Sequence, residues 1–208
     1  MKAFNGFDDA KKQAQAGSIG RLPAAGYVCK ILGVAYDAGS DGKSDVLTIQ
    51  FDICEGEHAD YFRKQYEANT SEDKKWKGVK RIYIPTDDGS ERDGWTKKSF
   101  AGWIAAVEES NPGYAWDWDE KKLKGKTVGI VFGETGTVID GKEIVYTEAR
   151  FGASVEKIRS NDYPLAKFLK KNGYTGNGAS SAQSAQSGNN VPDFLQVSDS
   201  ELDSLPFN

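Results

Sequence analysis

The stretch SDVLTIQFDICEGE, residues 44–57, decides the class of fold. Leu47, Ile49, Phe51 and Ile53 alternate with Thr48, Gln50 and Asp52. This period-two pattern buries one face of a β-strand and leaves the other to solvent. Upstream, GYVCKILGVAYD (26–37) reads as a partner strand, joined to it through the turn-rich loop DAGSDGKSD (37–45). Downstream, GVKRIYIP (78–85) reads as a third strand, with Ile82 and Ile84 on one face and Arg81 and Tyr83 on the other. The spacing then becomes helical in SFAGWIAAVEES (99–110). Phe100, Trp103, Ile104 and Val107 share a stripe there, and Asn111-Pro112-Gly113 ends it. GKTVGIVFGE (125–134) and KEIVYTEARFG (142–152) supply a fourth and a fifth strand around a turn at Asp140-Gly141.

Three strands, one helix and two strands is the element order of an OB-fold, a five-stranded Greek-key barrel, although other small barrels share it. The predicted class is therefore mainly β, with one helix between strands three and four. Residues 1–171 are assigned to this domain, after a polar lead-in with a short helix around Asp8–Ala16. Residues 172–192 are a Gly/Ser/Asn/Gln/Ala linker with the composition of a flexible coil. Residues 193–208 are an acidic tail, read as disordered, ending SDSELDSLPFN.

Charge divides along the same boundaries. The 208 residues carry a net charge of −4, yet residues 1–171 hold 27 basic and 27 acidic groups. The four excess carboxylates, Asp193, Asp199, Glu201 and Asp203, all lie in the tail. A neutral body with an acidic tail divides its work between the two parts.

The richest stretch is Tyr61–Tyr83, with seven basic residues against three acidic ones and five interleaved aromatics. Arg63, Lys64, Lys74, Lys75, Lys77, Lys80 and Arg81 can track phosphates, while Tyr61, Phe62, Tyr66, Trp76 and Tyr83 can stack on unpaired bases. In an OB barrel this segment joins strands two and three, beside the usual oligonucleotide-binding surface. The same stretch also fits a solvated excursion whose rings cap the barrel. Lys97 and Lys98 before the helix, and Arg150 with Phe151 on the fifth strand, extend the candidate path. Lys121, Lys122, Lys124 and Lys126 read as a solvated face, and Tyr114, Trp116 and Trp118, set among acids, as core packing.

No catalytic site emerges. The chain has one histidine, no CxxC pair, no P-loop, no HExxH and no nucleophile elbow, so neither an enzyme nor a metal or other cofactor is expected. Asp37, Asp41, Gly42 and Asp45 imitate part of a calcium loop, but Thr48 occupies its twelfth position, where an acid is required. Cys29 and Cys54 read as two small buried thiols rather than a disulfide. No apolar run approaches the ~18 residues of a membrane span, and the N-terminus has no signal-like core. A cytoplasmic protein without membrane attachment is expected.

LPAAGYVCKI (22–31), VEESNPGYAWD (107–117), and LKGKTVGIVFGE (123–134) followed by DGKE (140–143) resemble phage- and prophage-encoded single-stranded DNA-binding proteins. The similarity spans most of residues 20–163, and the acidic tip strengthens it. It implies an OB-fold that coats single strands without catalysis in replication, recombination and repair inside a bacterial host. It also implies that Asp199, Glu201, Leu202, Asp203, Leu205, Pro206 and Phe207 dock replication or recombination proteins. Two features depart from bacterial members: Asn208 follows Phe207, and serine and leucine interrupt the acids of residues 199–204. A protein-interaction module and a strand-annealing protein fit the same elements, and the sequence leaves room for a homo-oligomer.

Overall fold

The computed structural model describes residues 5–7, 11, 19–40 and 44–176, and within them the chain is mainly β. β1 (Gly26–Asp37), β2 (Val46–Ile53), β3 (Val79–Tyr83), β4 (Thr127–Ile139) and β5 (Lys142–Ala153) lie in the order β3-β2-β1-β4-β5. Each neighbouring pair is antiparallel. A short β6 (Leu169–Lys170) pairs parallel to β4 at Thr135 and Gly136, making a mixed six-stranded sheet among the described residues. β3 and β5 end the path, with no β3–β5 pairing among the described residues. Irregular registers between Ile31 and Gly33, and between Val131 and Phe132, mark bulges of the kind that bend and coil a sheet.

The buried face predicted for β2 holds, with Leu47, Ile49, Phe51 and Ile53 all buried, but Asp52 on the opposite face is buried as well. The apolar side chains meet Phe100, Trp103, Ile104 and Val107 of α2 (Glu91–Ser110) in one core. That helix packs on β3, β4 and β5, so a single element touches both ends of the strand path. It begins nine residues before its apolar stripe because its start is set by capping. Ser90 Oγ accepts from the Asp93 amide at 3.1 Å, and Glu91 and Asp93 sit in the positive first turn. At the other end of the sheet, Asp140 (φ +50) and Gly141 (φ +72) make the two-residue β4–β5 turn.

Among the elements that the sequence pattern does not predict, a helix lies inside the basic and aromatic stretch. Residues 61–68, part of the segment expected to join strands two and three, form helix α1 (Tyr61–Ala68). Tyr61 and Phe62 at its first turn go into the core. Its N-cap residue, Asp60, makes no side-chain cap. The cap comes instead from Asp52 on β2, whose buried carboxylate accepts from the amides of Phe62 at 3.0 Å and Arg63 at 3.1 Å, and from its own neighbour Ile53 at 2.9 Å. Burial raises this carboxyl above its ordinary value, while the three N–H groups favour its charged form. Asp52→Ala strands two helix N–H groups and is expected to cost about 1–3 kcal/mol. The checks are a lower urea midpoint and faster amide exchange at Phe62 and Arg63; an unchanged midpoint contradicts this role.

The packed chain also runs past the expected domain end at residue 171. Tyr174 is buried, its ring lying where a side chain on Gly136 would stand, and the Thr175 amide donates to Glu143 Oε1 at 2.6 Å. Before it comes α3 (Val155–Arg159), capped by Ser154. Both cysteines are free, and Cys54, expected inside, is exposed just beyond β2. The helix expected around Asp8–Ala16 apart from Lys11, most of the linker, and the tail with its docking residues lie outside the described residues. Among the described residues no helix is long and apolar enough to cross a membrane, and no cluster of three His, Cys, Asp or Glu side chains is placed to hold a metal ion.

Candidate nucleic-acid interface

The basic and aromatic stretch divides into two populations. Tyr61, Phe62, Lys80 and Tyr83 are buried. Arg150 and Phe151 on β5 are buried as well, Phe151 against Val131. Arg150 belongs to an internal network. Its guanidinium donates to Glu148 Oε1 at 2.6 Å, Thr135 Oγ1 at 2.5 Å and the Glu134 carbonyl at 2.9 Å. Lys171 reaches the same Glu148 oxygen at 3.2 Å. Burial on its own would raise the Glu148 carboxyl, but Arg150, Thr135 and Lys171 hold it below its ordinary value. These six expected contact residues are thus interior in this structure. Tyr61 and Phe62 enter the core from the first turn of α1, and Arg150 and Phe151, on opposite faces of β5, are both covered.

Other cations are exposed but engaged. Arg63 pairs with Asp60 at 3.3 Å, and Lys64 Nζ donates to the Ala59 carbonyl at 2.8 Å. Lys97 bridges Asp87 and Asp93, and those carboxylates raise its ammonium above the ordinary lysine value. Arg81 lies 5.7 Å from the Tyr83 ring centroid, and Lys98 is exposed on α2.

The remaining residues form one site along α1. The Tyr66 and Trp76 rings lie 5.9 Å apart at 48°, and Lys74 Nζ stands 4.6 Å over the Tyr66 ring. Trp76 is pinned, its Nε1 donating to the Phe51 carbonyl at 3.0 Å and the Gly78 carbonyl at 3.1 Å. Gly78 makes this close approach possible: a side chain there would stand 2.2 Å from the Phe51 carbonyl oxygen. Lys75 and Lys77 flank the pinned indole, are exposed, and form no ion pair with another described residue.

Two clefts of about 420 Å³ each open beside this group. The outer one is lined by Tyr66, Asn69, Thr70 and Lys75. The inner one reaches between α1 and β5, over Phe51, Phe62 and Phe132. Gln65 and Lys77 line both clefts, so the two adjoin along α1. Exposed cations beside anchored rings suit a single strand, whose phosphates need charge and whose bases need flat surfaces.

No protein-family model and no curated protein sequence matches this chain.

Several residues of the region were not anticipated. Gln65 sits on α1, a helix that the strand pattern on either side of it does not predict. The repeat Tyr61, Phe62, Gln65 and Tyr66, at spacings of one and four, was the available helical signal. Arg21, which donates to Glu134 Oε1 at 2.5 Å, and Tyr146 of β5 line the inner cleft from distant parts of the sequence. Trp118, expected in the core with Tyr114 and Trp116, is 75% exposed. Its backbone adopts φ +66, and its ring stacks at 11° on Phe100 with 6.1 Å between centroids. Trp116 stays partly covered, packed against the main core.

Proposed function

We propose that this chain is a non-catalytic single-stranded DNA-binding protein. It coats and protects unpaired strands during phage replication, recombination and repair in the cytoplasm of a bacterial host. The observation that carries the reading is the α1 groove, where Lys75 and Lys77, free of ion pairs with other described residues, flank the paired rings of Tyr66 and Trp76. Phosphate contacts then supply most of the affinity, and stacking contributes about 1–3 kcal/mol per base.

The reading includes closure of the sheet into an OB-type barrel. Strand order β3-β2-β1-β4-β5 supports it, as does α2, which lies between β3 and β4 in sequence and packs on both end strands. On the same reading the tip 199–207 recruits replication or recombination proteins.

A second reading, a protein-interaction module, is favoured by the neutral body and by the exposed Trp118 stacked on Phe100. Titration of labelled oligo-dT and of a duplex of equal length, each at low and at moderate salt, separates the two. DNA coating predicts tighter binding to the single strand, weakening as salt rises. Equal binding to both, or none, overturns it.

A further inference from the structure

The groove has an inner basin that a coating surface does not require. Its floor is aromatic: Phe51, Phe62 and Phe132 are almost wholly buried, with the Phe62 and Phe132 rings stacked at 25°. Its rim is polar, and the partners on that rim are unevenly used. Gln65 Nε2 donates to the Tyr61 hydroxyl at 2.9 Å, and no described residue donates to its Oε1. Glu148 collects Thr135, Arg150 and Lys171 on Oε1, and no described residue donates to Oε2. Two acceptors thus border an apolar basin of about 420 Å³, with the Lys77 cation at its threshold.

We propose that this basin takes one unpaired base out of a bound strand and prefers a base that presents amino hydrogens. The inference rests on the single-strand reading above. The strand backbone crosses Lys75 and Lys77, and one base turns in past Gln65 to lie over the buried rings. Cytosine, adenine and guanine each carry an exocyclic amino group that can donate to Gln65 Oε1 or Glu148 Oε2. Thymine offers one imino N–H and two carbonyl acceptors, so one rim acceptor stays unmatched. Discrimination by one matched hydrogen bond is expected to be about threefold to tenfold.

The test compares a short oligo-dT with strands of the same length whose central nucleotide is dC, dG, dA or an abasic site. Tighter binding of the amino-bearing strands than of oligo-dT, with the abasic strand weakest, supports the pocket. Two variants locate the effect. Gln65→Met removes a rim acceptor at a half-buried position, and Ala149→Leu fills the basin from β5. In both, the ratio between the affinities for the amino-bearing and the abasic strands is expected to fall toward one. If the central nucleotide makes no difference although oligo-dT binds, the pocket is overturned and strand coating stands. If no strand binds, both are overturned.

Discussion

Lys75→Glu together with Lys77→Glu is expected to weaken binding to oligo-dT by more than about tenfold at low salt. Neither ammonium is committed to a carboxylate among the described residues, so neither must be released before it meets a phosphate. Each lost phosphate contact lowers the salt slope by about 0.7 for a single strand, so the double variant should lose about 1.4. Both side chains are exposed, and the thermal midpoint should barely move. Reversal of Lys97, already bridged to Asp87 and Asp93, should cost much less affinity. Unchanged oligo-dT affinity in the double variant would remove the α1 groove from the binding surface.

Arg150→Ala is expected to have the largest effect on stability, about 3 kcal/mol. Its side chain is 1% exposed and ties Glu148, Thr135 and the Glu134 carbonyl together at the β4–β5 pairing. Truncation leaves a cavity and returns a partly buried carboxylate to the care of Lys171. The pH dependence should change in a defined direction. In the wild type the Glu148 carboxyl is held below its ordinary value, so its contribution is present above about pH 4.3 and is lost as pH falls through the depressed value. Without Arg150 that value rises toward the ordinary one, so the part of the acid destabilisation that Glu148 carries should shrink. Urea midpoints across the acid range check this. Oligo-dT affinity of the folded variant should stay near that of the wild type, because Arg150 is interior. A variant with full stability and weakened DNA binding would place Arg150 on the interface instead.

How far the fold was legible depended on which force set each element. Strands were legible because alternation is local: Leu47, Ile49, Phe51 and Ile53 announce their buried face without reference to anything distant. The stripe Phe100-Trp103-Ile104-Val107 announced α2 in the same way. Its first two turns were not read because they depend on Ser90 and Asp93 capping rather than on an apolar pattern. α1 stayed hidden because its cap comes from Asp52, across a chain reversal, a residue whose alternation assigned it to solvent.

The site was legible as composition and not as placement. The density of cations and rings in 61–83 marks the candidate region, and Tyr66, Lys74, Lys75, Trp76 and Lys77 do come together there. Charge alone did not separate them from Lys80 and Arg150, which are buried, or from Lys97, which is engaged. Trp118 shows the reverse error. Its acidic neighbours suggested burial, but Asp117 pairs with Lys122, and the indole is held outward.

Lysine footprinting tests the central claim most directly. The full chain is treated with an amine-acetylating reagent with and without saturating oligo-dT, and modification at each lysine is read by mass spectrometry. Lys75 and Lys77 should be protected severalfold by the strand, while Lys157, on α3 and 3.6 Å from Glu109, should react equally in both. Protection absent from Lys75 and Lys77 under saturating oligo-dT would contradict the account.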